Sequence, residues 1–154
     1  MIQVDVTNRQ KLLPIDRKRL TAAVRQALGQ AGREQGNVSL AIVDDATIAE
    51  LHGQYLDDPT PTDVLSFTLE SGPDQLEGEV IVSAETAIRN AVSYGWPACD
   101  ELLLYVVHGT LHLAGSLDGT PKERAAMRKL ERATLAHFSL SPCYRARARV
   151  SEGP

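Results

Sequence analysis

The chain has 154 residues, a formal net charge of −4, and a composition that is 43% hydrophobic and 23% charged. That length suits one domain with a proper core. The acidic balance excludes a uniformly basic nucleic-acid coat, so any RNA contact must use a local basic patch.

The N-terminus, MIQVDVTNRQ, carries no apolar h-region of a secretory signal. No apolar run approaches the length of a membrane span. Cys99 and Cys143 stand apart, without a C-x-x-C pair. A disulfide between them is open but not required, and buried thiols are the default. A cytoplasmic protein is expected.

Ile2, Val4 and Val6 alternate with polar residues, the pattern of a half-buried strand. From Asp16 the period becomes helical, with Leu20, Val24, Ala27, Leu28 and Ala31 on one face and Gly32 as the stop. Arg17, Lys18, Arg19 and Arg25 flank that face, either as a solvated edge or as an RNA contact. Residues 38–43 (VSLAIV) read as a second strand. Asp44 or Asp45 caps a short helix from Ala46 to about Tyr55, with Ile48, Leu51 and Tyr55 inward.

The breaker cluster DDPTP at 57–61 ends that helix. Residues 64–69 (VLSFTL) form a third strand and 78–83 (GEVIVS) a fourth. The short loop between them predicts an antiparallel pair. Ser83 caps a helix that runs to about Tyr94 and closes at Gly95. An almost wholly apolar helix follows, roughly Cys99 to Ala114. Thr120, Pro121 and Glu123 supply an N-cap, a proline at N1 and a capping-box acid for the last helix. Ala126, Met127, Leu130, Thr134 and Leu135 mark its inward stripe, and it ends near His137. From Ser141 the chain is polar, with Arg145, Arg147 and Arg149 alternating, a frayed end or a phosphate-binding arm. The expected architecture is α+β: one domain over residues 1–140, with a small mixed four-stranded sheet, about five helices and a polar tail at 141–154.

The chemistry concentrates in HGTLHLAGSLD, residues 108–118. His108 and His112 are four apart, so on a helix both imidazoles share one face. Two unpartnered imidazoles in an apolar helix would be costly. Gly115 offers the left-handed residue that ends a helix and reverses the chain, and Asp118 follows three residues later. His108, His112 and Asp118 are therefore the expected ligands of one zinc ion per chain, with a coordination position left open as in catalytic sites. The metzincin protease pattern H-E-x-x-H-x-x-G-x-x-H has related spacing, but Gly109 stands where that pattern has its general-base Glu. His52 and His137 are each alone in sequence.

Several stretches together resemble one family. HGTLHLAG resembles the H-G-x-L-H-L-x-G core of the YbeY family of metal-dependent endoribonucleases. Residues 61–67 (PTDVLSF) match its P-T-D-V-L-S-F stretch. Residues 78–83 (GEVIVS) match its G-D-I-x-I-S strand, and Glu101 stands where it has Glu before its metal helix. The similarity runs over about residues 40 to 135.

The resemblance implies an α+β fold with a zinc ion in a cleft beside the sheet. It implies a single-strand-directed, zinc-dependent endoribonuclease acting in 16S rRNA 3′-end maturation and ribosome quality control. Its partners would be ribosomal RNA and the small ribosomal subunit, with no DNA and no membrane. Asp63 and Ser66 are the expected cleft wall and, with His108, the expected catalytic residues; the alternative is a structural role, Asp63 as a turn or cap group and Ser66 as a strand hydroxyl. Two departures stand out. The family continues G-Y-D-H with a histidine as third ligand, where this chain has Ser116, Leu117 and Asp118. It also carries an arginine after the Tyr that Tyr55 matches, and Leu56 stands there instead, with His52 nearby in place of a common Asn. The alternative readings are a metallohydrolase of a peptide or small ester, and a non-catalytic ribosome-assembly factor with a structural ion.

Overall fold

The computed structural model describes residues 2–54, 62–72 and 75–142, and the backbone of 55–56. Among these residues the chain forms nine elements. In order they are β1 (Ile2–Asn8), α1 (Arg17–Gln30), β2 (Gly36–Val43), α2 (Asp45–Leu56), β3 (Val64–Ser71), β4 (Leu76–Ser83), α3 (Ala84–Tyr94), α4 (Ala98–Leu113) and α5 (Pro121–Ala136). The expected α+β class with a mixed four-stranded sheet and five helices is what is found.

The strands lie in the order β1-β2-β4-β3. The pairs β1–β2 and β2–β4 are parallel, and β3 runs antiparallel to β4 as the short loop predicted. Alternation gives the sheet two apolar faces. Val38, Leu40, Ile42, Val80 and Val82 join α1 and α4 in the main core, while Val43, Leu65 and Ile81 close over Ile48 of α2.

Helix ends follow their capping residues. The Asp16 side chain caps α1, and Asp44, not Asp45, accepts the Thr47 N–H at the start of α2. Asp45 instead accepts from Ser83, Thr86 and Arg89, tying α2 to α3. The arginines on α1 act as braces. Arg17 and Arg25 donate to the β1 carbonyls of Val6 and Ile2, and Arg19 pairs with Asp100 at 2.8 Å.

Helix α4 is the axis of the core. From Glu101 to Leu113 every residue is buried except His108 and His112. Leu103 and Leu111 are fully buried, and truncating either to Ala would cost about 2–5 kcal/mol. Two expectations need correction. Cys99 is exposed and free, because it occupies the first turn of α4 before that helix enters the core. Ala126 faces solvent, and the buried stripe of α5 is Met127, Glu131, Thr134 and Leu135. Cys143, Arg145, Arg147 and Arg149 lie outside the described residues.

Candidate metal centre

The centre starts from how α4 ends. Gly115 adopts φ +104°, its N–H bonds to the His112 carbonyl, and the Ser116 N–H bonds to the Leu111 carbonyl. This is a Schellman closure, which satisfies the last carbonyls and turns the chain back along the helix. Asp118 is thereby carried over the two histidines.

The three donor atoms form a small triangle. His112 Nε2 lies 3.1 Å from His108 Nε2 and 3.1 Å from Asp118 Oδ2, and His108 Nε2 lies 3.4 Å from that same oxygen. Tetrahedral bonds to zinc of about 2.0–2.1 Å set neighbouring donors about 3.4 Å apart. The triangle has that size, and its members are two imidazole nitrogens and a carboxylate, so the group could hold a metal ion. The donors are also reachable: each His side chain is 28% exposed and that of Asp118 is 43% exposed.

The charges suit a cation. Burial opposes charge on His108, but Asp118 and Glu131, with Asp63 adding, outweigh it and push the pKa up to about 10. Hydrogen bonding to His108 and the nearby imidazoles hold the Asp118 carboxyl well below the usual carboxylate range, against partial burial. Asp118 is therefore anionic at neutral pH.

Strand β3 supplies the neighbouring wall. Asp63 Oδ1 accepts from the Val64 N–H at 2.8 Å and from the Thr62 hydroxyl at 3.3 Å. The Ser66 hydroxyl donates to the Gly109 carbonyl at 2.8 Å, so it anchors α4 to β3 one residue past His108. Gly109 itself has no room for a side chain. A Cβ there would meet Val64 Cγ2 and Val80 Cγ1 at 2.7 Å and Ser66 Oγ at 3.0 Å.

A buried polar network continues along α4. Glu101 is fully buried in the first turn and accepts from Trp96 Nε1 at 2.7 Å. One turn on, Tyr105 accepts from Asn90 Nδ2 at 2.9 Å. Burial first, then the charges of Glu101 and Asp63, raises the Tyr105 pKa far above its ordinary value. The phenol stays protonated.

The remaining histidines stand apart. His52 is buried on α2, outside the ligand triangle. His137 is exposed just past α5. The side chains of Tyr55 and Leu56 lie outside the described residues.

One site residue was not read from sequence. Glu131 of α5 is buried, and its Oε2 lies 2.5 Å from His108 Nδ1. The available signal was its place in the inward stripe, four residues after Met127 and four before Leu135.

Comparison with known proteins places this centre in context. The family described as Endoribonuclease YbeY matches residues 5–139. A Rhodopirellula baltica protein named Endoribonuclease YbeY is 46% identical over 121 residues, which span 77% of this chain and 62% of that protein. A Protochlamydia amoebophila protein of the same name is 32% identical, over 94% of this chain and 98% of the relative. One from Moorella thermoacetica is 36% identical, over 90% of this chain and 99% of the relative. A solution structure of a Thermotoga maritima protein shares the fold, with a TM-score of 0.59 at 22% identity, over 100% of this chain and 97% of that one.

Proposed function

The chain belongs to the YbeY family of endoribonucleases, and on that premise we propose that it cleaves single-stranded ribosomal RNA with one bound zinc ion. The observation that carries this reading is the triangle of His108, His112 and Asp118, sized for a tetrahedral ion and open to solvent. Three protein donors and an open side describe a catalytic site, whereas a structural zinc is closed by four.

In this reading His108 Nε2, His112 Nε2 and Asp118 Oδ2 hold the ion. Zinc, when bound, supplies Lewis acidity that acidifies water and polarises a phosphoryl oxygen. The protein's part is to place and orient. Ser66, through the Gly109 carbonyl, fixes the distance between β3 and the histidine face of α4. Among the described residues the hydrogen bonds of Asp63 fall on Oδ1 and leave Oδ2 clear, and its charge is felt at His108. That oxygen is the acceptor proposed for a proton of the attacking group. The cellular role proposed is maturation of the 16S rRNA 3′ end and ribosome quality control in the cytoplasm, with the small ribosomal subunit as partner. Among the described residues, no helix is long and apolar enough to cross a membrane.

The peptidase alternative meets a physical obstacle at Gly109. The glutamate that metzincin chemistry needs there would collide with Val64 and Val80. The test is metal analysis of the purified protein, paired with cleavage of single-stranded RNA and of casein, each with and without chelator. Chelator-sensitive RNA cleavage supports the reading. Chelator-sensitive casein cleavage without RNA cleavage sinks it.

A further inference from the structure

Helix α5 turns Glu131 inward, where its side chain is 4% exposed. A carboxylate so buried is expensive unless it is paired and hydrogen-bonded. Its Oε2 meets His108 Nδ1 at 2.5 Å. An ionised carboxylate can only accept, so Nδ1 must be the donor. A proton fixed on Nδ1 settles which nitrogen can offer a lone pair to an ion, namely Nε2. That is the nitrogen lying 3.1 Å from His112 Nε2 and 3.4 Å from Asp118 Oδ2. The contact also sets the ring plane, because it holds the imidazole at the edge opposite the triangle.

We propose that Glu131 is the positioning residue of the metal centre: by accepting the His108 Nδ1 proton it fixes the tautomer and orientation in which Nε2 binds the ion. This rests on the reading that the triangle holds an ion. It makes α5 part of the centre although α5 supplies no ligand. His108 and Glu131 are 23 residues apart, so ion binding on α4 and the seating of α5 become linked. Carboxylates that orient ligating histidines are worth 10–100-fold in metal affinity.

The test compares wild type, Glu131→Gln and Glu131→Ala for zinc affinity, by competition with a chromogenic chelator. Gln keeps nearly the same volume and an oxygen that can accept from Nδ1–H, but not the charge. Ala removes the acceptor. The expected losses are about tenfold for Gln and about a hundredfold for Ala. Nitrogen-15 NMR of the zinc-loaded wild type should show His108 protonated at Nδ1, and in Glu131→Ala that proton should exchange faster with solvent. Thermal unfolding in chelator reports how much of each change is packing alone. Zinc affinity within twofold of wild type in Glu131→Gln, and in Glu131→Ala where that variant folds, overturns the proposal while leaving the metal site intact. Failure of the wild type itself to bind zinc overturns the site reading, and the proposal with it.

Discussion

A β-carbon on Gly109 would come within 2.7 Å of Val80 Cγ1, so α4 and β4 approach at that point as closely as a glycine permits. The approach presses the histidine-bearing turn onto the sheet, and the Ser66 hydroxyl locks it there through the Gly109 carbonyl.

Gly109→Ala tests this packing. In an open helix, Ala is better than Gly by about 0.8–1.0 kcal/mol. Here the added methyl meets two valine methyls that are themselves packed, and overpacking of this kind costs about 1–3 kcal/mol. The clash should win. Thermal melting should fall by several degrees, since about 1 kcal/mol corresponds to roughly 2–4 °C in a domain near this size. A melting temperature at or above wild type would show that the sheet yields and that the close approach carries no strain.

Most of the candidate centre was legible because its three possible ligands are local. His108 and His112 share a helix face by spacing, and Gly115 announces the reversal that returns Asp118. Glu131 was not legible, since it arrives from another helix and a glutamate on a helix usually marks a solvated face. Ser66 could be placed on a strand, but its bond to Gly109 needed the packing of β3 on α4. Alternation showed which residues of β1 face inward. It could not show that β4 lies between β2 and β3, because neighbours in a sheet depend on crossovers rather than on any one strand's pattern.

The raised pKa of His108 has a sign that solution work can read. Without an ion, Asp118 and Glu131 hold His108 protonated up to about pH 10. Zinc needs the neutral Nε2, so binding must displace that proton. Apparent affinity should therefore rise with pH, by about tenfold per unit for one displaced proton, and level off near the raised pKa. Calorimetry at pH 7 in buffers of different ionisation enthalpy should report about one proton released from His108 per zinc. Binding with no release would mean that the imidazole is already neutral and that the carboxylates do not charge it.

Leu56 closes α2 at the position where the family resemblance expects arginine. The centre is rich in carboxylates, with Asp63, Asp118 and Glu131 all acting on His108, and a phosphodiester needs compensating positive charge. Leu56→Arg should raise the rate of single-stranded RNA cleavage about tenfold, the lower range for a charged hydrogen bond. Zinc content should not change. A folded, zinc-loaded Leu56→Arg with an unchanged rate would show that the phosphate finds its cation elsewhere.

Asp118 decides whether the triangle is a metal site at all. Its Oδ2 stands at hydrogen-bonding distance from His112 Nε2 and 3.4 Å from His108 Nε2. The contact makes Asp118, rather than Gly119, the residue that meets the two imidazoles, as the ungapped family resemblance expects of a third ligand. Asp118→Ala leaves two imidazoles and should weaken zinc binding by more than the roughly hundredfold that loss of an orienting carboxylate costs. Asp118→His should recover much of that affinity, because an imidazole nitrogen binds zinc at nearly the distance of a carboxylate oxygen. The recovered site carries one fewer negative charge and a softer ligand. Its preference for zinc over magnesium or manganese should therefore sharpen relative to wild type. Competition with a chromogenic chelator gives all three affinities on one scale. Wild-type zinc affinity in Asp118→Ala would reduce this stretch to two ligands, and the three-donor catalytic centre would be wrong.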